Sequence, residues 1–249
     1  MKIGLFIPCF MNELYPEVCK ATYKILKNQG LDIDYPLSQT CCGQPMANSG
    51  CAKDVKQLAI SFVNTFKDYD YIVAPSGSCV SMVKEHYSEF FNDDKDYNKV
   101  KASIYEVCEF LHDVIKLENV KFSHSFPYKV GLHNSCHGHR VLKLATASEL
   151  NIPYNSKLKN LLNKVEGIEL VTLRREDECC GFGGTFSVAE EAVSVAMGKD
   201  RIKDHLDSSA QIMTGADMSC LMHMDGIINR DKNPIKVMHI VEILAGVRP

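Results

Sequence analysis

No stretch of this 249-residue chain runs for about 20 apolar residues, the length a helix needs to cross a bilayer, so a helical membrane span is excluded. Charge of either sign is not in excess either. The formal net charge is −3, with 28 Lys and Arg against 31 Asp and Glu, which leaves no basic footprint for a nucleic acid, and a membrane surface would need a local patch. The N-terminus, Met1 to Cys9, carries one lysine and a short apolar run that ends in Pro8, with no small-residue cleavage site, so it is not a secretion signal. A cytoplasmic address is expected, where thiols stay reduced. The chain also lacks the Cys-x2-Cys knuckle that usually supplies two ligands of a structural zinc ion from one turn.

Against those absences stand eleven cysteines, in a chain whose 45% hydrophobic and 24% charged residues are those of an ordered globular protein. Eight of them form a repeated pattern. Cys41-Cys42-Gly43 and Cys179-Cys180-Gly181 share a centre, and each pair is flanked by one cysteine upstream and one downstream. In the first half 31 residues separate Cys9 from Cys41 and 36 separate Cys42 from Cys79; in the second the gaps from Cys136 and to Cys220 are 42 and 39. Adjacent cysteines do not readily bridge each other, but both can reach one inorganic core larger than a single ion. Each set of four is therefore expected to hold an iron–sulfur cluster, of the [4Fe–4S] type, one or two in the chain, with zinc as the alternative occupant. Gly43 and Gly181 would let backbone N–H groups approach the sulfurs, and Gly183 and Gly184 extend the second loop as further cofactor-binding positions. Cys19 and Cys108 fall within helical patterns, and Cys51 has no counterpart in the second half.

Hydrophobic periodicity repeats in the same order. In the first half, strands are expected at Lys2–Pro8, Leu31–Pro36, Tyr71–Pro75 and Ala102–Tyr105, and helices at Glu13–Gln29, Ala52–Lys67 and Glu106–Leu117. The second half replays them with strands at Lys129–Asn134, Glu169–Leu173, Gln211–Thr214 and Ile235–Val237. Helices are expected at His139–Leu150, Ser156–Val165, Ser187–Leu206 and His239–Ala245, with Ala189, Ala192, Val193, Ala196 and Met197 on the inner face of the third. Alternating strands and helices imply an α/β fold of two tandem similar domains, 1–122 and 123–249, each a small parallel sheet with flanking helices, related by a pseudo-twofold. All eight cysteines then lie beyond the carboxyl ends of strands, where open parallel sheets bind ligands.

Histidines gather near the second set. His137 and His223 are the candidate catalytic residues, for proton handling or substrate contact, because imidazole titrates nearest neutral pH. A metal-free or zinc-stabilised scaffold and a thiol–disulfide oxidoreductase using the adjacent pairs are the rival readings.

The doubled Cys…Cys-Cys-Gly…Cys pattern resembles the CCG cysteine-rich family, whose members include the cysteine-rich subunit of heterodisulfide reductase and the iron–sulfur subunit of glycolate oxidase. Ile7-Pro8-Cys9-Phe10, Cys179-Cys180-Gly181-Phe182-Gly183-Gly184 and Asp217-Met218-Ser219-Cys220-Leu221-Met222-His223 look most like its lactate-utilisation branch. That resemblance implies a subunit of a multi-protein system oxidising L-lactate to pyruvate, relaying electrons to an acceptor, with no flavin of its own. The fuller family motif ends Cys-x-x-Cys. Here Ser76 and Asp217 stand at the first of those positions, leaving four cysteines per half, which weighs against an unusual non-cubane cluster unless an oxygen replaces the lost sulfur.

Overall fold

A computed structural model describes all residues, 1–249. Two four-stranded parallel sheets form, β2-β1-β3-β4 from the first half and β6-β5-β7-β8 from the second. The strands are β1 (Ile3–Leu5), β2 (Ile33–Asp34), β3 (Tyr71–Ala74), β4 (Ile104–Glu106), β5 (Lys129–His133), β6 (Glu169–Leu170), β7 (Ile212–Gly215) and β8 (Lys236–His239). Each sheet has its first strand paired with both its second and its third. The duplicated α/β architecture expected from the sequence is therefore present. The edge strands β2 and β6 are only two residues long, shorter than the spans Leu31–Pro36 and Glu169–Leu173 that the sequence suggests.

Helix Ala52–Phe66 forms as its spacing predicts, burying Val55, Ala59, Phe62, Val63 and Phe66. Pro16 opens helix Pro16–Asn28 at a position where a missing N–H costs nothing. The halves are tied by their last helices, which cross over. Ile240–Leu244 packs on Pro16–Asn28, and Lys24 Nζ donates to the Ala245 carbonyl at 2.9 Å. Reciprocally, Val107–Glu109 packs on Lys157–Leu162. A single cluster of 59 buried apolar residues runs through both halves.

Two expectations fail. The helix His139–Leu150 does not form. One wide turn, His137–Val141, is followed by chain whose backbone groups bond elsewhere: Thr146 N donates to the Asn155 carbonyl at 2.8 Å and the Leu144 carbonyl accepts from Lys157 N at 2.9 Å. Leu142, Leu144, Ala145 and Ala147 are buried in this extended course, so apolar spacing is satisfied without a helix.

The long helix Ser187–Leu206 is broken at Glu190 (φ −124°, ψ 49°) into Phe186–Ala189 and Glu191–Asp207. Its inner face is the opposite of the apolar one expected. Ser194, Gly198, Arg201, Ile202, Asp204 and His205 are buried, whereas Ala189, Ala192, Val193 and Ala196 face solvent and Met197 is half-buried. Arg201 and Asp204 on that face are paired inside the protein, whereas the Ser194 hydroxyl and both ring nitrogens of His205 are buried without a partner.

Candidate metal centre

Every one of the eight patterned cysteines lines a single cavity of about 770 Å³ between the halves. Cys9 opens the turn after β1, Cys79 lies in helix Gly77–Ser81 after β3, and Cys41 and Cys42 occupy the loop after β2. Cys136, Cys220 and the Cys179-Cys180 pair hold the corresponding places after β5, β7 and β6. Convergence at the carboxyl edge of parallel strands brings together residues far apart in sequence.

Within each set the thiols are in mutual contact. Cys42 and Cys79 place their Sγ atoms 3.4 Å apart. Hydrogen bonds from Cys42 and then Cys9 hold the Cys41 thiol well below its ordinary range, and bonds from Cys136 and then Cys180 do the same for Cys179. The donors move the other way. Cys9 is pushed up by its bond to Cys41 and by burial, Cys136 by its bond to Cys179 and by burial. Cys42 and Cys180 are raised by bonds to their sulfur neighbours and by burial. One thiolate per set is thus stabilised by its neighbours' protons. Ionising all four requires a compensating positive centre among them, which is the chemistry of a metal or metal–sulfur core.

The backbone supports the same two sulfurs. Gly43 N donates to Cys41 Sγ at 3.3 Å and Gly181 N to Cys179 Sγ at 3.4 Å. Both glycines are left-handed (φ +83° and +88°), and a Cβ there would stand 2.7 Å from Val55 Cγ1 and from the Ser194 carbonyl oxygen respectively. Gly183 and Gly184 also line the cavity. Beside them Thr185 Oγ1 donates to the Asn48 carbonyl of the first half at 3.2 Å.

The histidines separate. His137 lines the cavity, with its Nε2 3.5 Å from Gln44 Nε2 across the junction. His223 does not line it; its Nε2 donates to the Ser194 carbonyl at 3.3 Å, and its ring lies against Phe182. His133, which spacing did not single out, is buried in the cavity wall with a ring nitrogen within 4.8 Å of the sulfurs of Cys180 and Cys220. Burial and the Arg201 guanidinium push it down to about 3, so it is neutral. Its only signal in the sequence is its place three residues before Cys136.

Ser76 and Asp217 are engaged as helix caps. Ser76 Oγ accepts from Cys79 N at 3.3 Å. Asp217 accepts from Ser78 N (2.8 Å) and Ser78 Oγ (3.2 Å) of the first half and from Ser219 N (3.4 Å) and Ser219 Oγ (2.8 Å) of the second. Its oxygens are taken up in joining the halves, so Asp217 does not offer a free substitute for a lost sulfur. Cys19, Cys51 and Cys108 lie away from the cavity lining.

The cysteine-rich CCG domain model matches the chain twice, over residues 3–84 and 130–225. This chain belongs to the CCG cysteine-rich domain family. It is 41% identical over 248 residues to lactate utilization protein A of Geobacillus thermodenitrificans, covering 98% of both chains. It is 39% identical to the protein of that name from Halalkalibacterium halodurans, covering 98% of this chain and 96% of the relative. Among solved structures, a hypothetical protein from Helicobacter pylori shares the fold. The TM-score is 0.61 at 10% identity, over 99% of this chain and 48% of that one.

Proposed function

We propose that this CCG-family chain is the iron–sulfur redox subunit of a lactate-utilisation system, with Cys9, Cys41, Cys42 and Cys79 holding one cluster and Cys136, Cys179, Cys180 and Cys220 a second. The observation that carries this reading is that both thiol sets open onto one cavity. Structural zinc sites are closed around a single ion, whereas about 770 Å³ is far more than an ion needs. A bound cluster would supply one-electron transfer, at a potential set by burial and by hydrogen bonds to its sulfurs. The names of the relatives point to lactate, so the electrons come from its oxidation to pyruvate and leave through partner subunits.

The chain's own residues do the rest. Gly43 and Gly181 direct N–H groups at the central sulfur of each set, stabilising negative charge there. His137, at the junction, is placed to take up or release a proton, while His223 supports the wall through Phe182. Leu14 and Val188, 63% and 84% exposed, give the cavity mouth an apolar rim suited to a partner subunit. No helix is long and apolar enough to cross a membrane, and the cytoplasm is the proposed location.

Iron and acid-labile sulfide analysis of anaerobically purified protein tests the reading. Iron and sulfide in both sets are expected, with iron halved when Cys179 and Cys180 are changed to serine. Stoichiometric zinc without sulfide would overturn it, and lactate-dependent activity in metal-free protein would favour the thiol–disulfide alternative.

A further inference from the structure

The two halves share a backbone plan but differ behind their cysteines. Gly4 on β1 and Gly131 on β5 are equivalent: a Cβ on Gly4 would meet the Phe66 ring at 3.0 Å, and one on Gly131 would run into His205. Two residues further along each strand, and three before Cys9 and Cys136, stand Phe6 and His133. One turn before Phe66 and His205 on the covering helices stand Phe62 and Arg201. In the first half these positions form an aromatic cluster, with Phe6 4.8 Å from Phe62 and 5.8 Å from Phe66 between ring centroids. In the second half the same positions hold His133, Arg201 and His205, all at most 1% exposed.

Arg201 determines how His133 is protonated. Guanidinium only donates, and Arg201 Nε donates to His133 Nδ1 at 3.2 Å. Arg201 is held there by Asp204 at 3.1 Å and by the carbonyl of Arg175. With Nδ1 accepting, the proton of the neutral ring resides on Nε2. That atom is buried without a partner, on a ring one of whose nitrogens lies within 4.8 Å of the sulfurs of Cys180 and Cys220. A protonated nitrogen donates; it does not ligate.

We infer that His133 Nε2–H donates a hydrogen bond to a sulfur of the group held by Cys136, Cys179, Cys180 and Cys220, making the second half the higher-potential site of the two. This rests on the proposed iron–sulfur function. A hydrogen bond to a thiolate or sulfide stabilises the more negative, reduced state, and the site framed by Phe6, Phe62 and Phe66 receives no counterpart. Asp204 cancels the net charge of Arg201, so the effect comes from the donor proton and the oriented pair. Arg201 is a positioning residue that acts through His133.

The test is a redox titration of anaerobically prepared protein followed by electron paramagnetic resonance, with iron measured first. Wild type should reduce in two steps. His133→Phe, which copies the first half, should keep its full iron and shift only the earlier-reduced step to lower potential, and His133→Asn, retaining an N–H, should shift it less. Full iron with an unmoved potential removes this inference alone; loss of half the iron makes His133 a ligand and also overturns it. Absence of iron in wild type removes the proposed function and this inference together. Should the variants not fold, pulsed resonance on wild type carrying 15N-histidine decides: weak nitrogen coupling at the earlier-reduced site is expected, and ligand-strength coupling or none refutes the donor role.

Discussion

Asp217 is the residue whose removal should cost the assembly most for its size. Its carboxylate is 2% exposed and accepts from Ser78 N and Oγ in the other half, as well as from Ser219 Oγ. In Asp217→Ala the two hydroxyls can rotate toward other acceptors, but the Ser78 N–H is left buried without one. An orphaned buried donor costs about 1–3 kcal/mol, and the charge-assisted bonds lost with it contribute roughly a further 1.5–3 kcal/mol. A loss of roughly 2.5–6 kcal/mol follows. Asp217→Asn should cost less, about 1–2 kcal/mol: its carbonyl can keep Ser78 N and its amide can donate to the two serine hydroxyls, so only the 3.4 Å bond from Ser219 N is lost. Thermal unfolding of reduced, metal-free protein followed by circular dichroism reads both, at roughly 2–4 °C per kcal/mol for a chain of this length. Equal losses in the two variants, or less than about 1 kcal/mol in the alanine variant, would refute the role assigned to this carboxylate.

Gly181→Ala places a Cβ 2.7 Å from a backbone oxygen at φ +88°. It should lose roughly 2–4 kcal/mol and lower metal content in the second set. Gly30→Ala, also left-handed but with nothing within 4 Å, should lose only about 1 kcal/mol in the same melts. His137→Gln should leave iron unchanged and slow lactate-dependent electron transfer in the reconstituted system; unchanged turnover would make His137 structural. Burial pushes the Glu106 carboxyl from 4.5 up to about 8. Between those values the folded chain keeps a proton the unfolded chain has released, so this group makes stability fall as pH rises, by about 1.4 kcal/mol per pH unit; the fall should show above pH 6.5, where the buried histidines no longer oppose it, and Glu106→Gln should flatten it. Burial holds His239 down to about 4 from 6.5, so stability should also fall as pH drops through that window, where only the unfolded chain binds the proton. Urea titrations across pH check both limbs.

The doubled cysteine pattern makes the duplication and the convergence of the thiols legible, because strands, crossovers and sheet edges follow from order alone. Elements whose hydrogen bonds are long-range are not legible in the same way. The chain after His139 has helical apolar spacing, yet its backbone groups pair with residues 155–157, a partnership that apolar spacing does not encode. The helix Lys95–Ser103 escapes notice for the opposite reason. Its polarity reads as an acidic loop, although Asp94 caps it by accepting from Tyr97 N at 2.8 Å, and Tyr97, Val100 and Ser103 are buried at a helical interval. Asp94, of a residue type that favours the N-cap, is the available sign.

The second half's interior is hidden from a sequence reading because hydrophobic bias assigns apolar residues inward. Along Glu191–Asp207 Ala192, Val193 and Ala196 point out, and Arg201, Asp204 and His205 point in, with Arg201 bonded to Asp204 and to His133. A buried arginine is costly unless its donors are satisfied, and here they reach Asp204, His133 and the carbonyls of Leu132 and Arg175. The first half meets the same packing requirement with Phe6, Phe62 and Phe66, so the fold itself does not call for charge at these positions. What distinguishes the second half is that the polar cluster ends on His133, whose Nε2 is unpartnered and whose ring reaches within 4.8 Å of the Cys180 and Cys220 sulfurs. Divergence in the wall behind one thiol set, on a shared backbone plan, makes that wall a place where two copies of one domain acquire different chemistry.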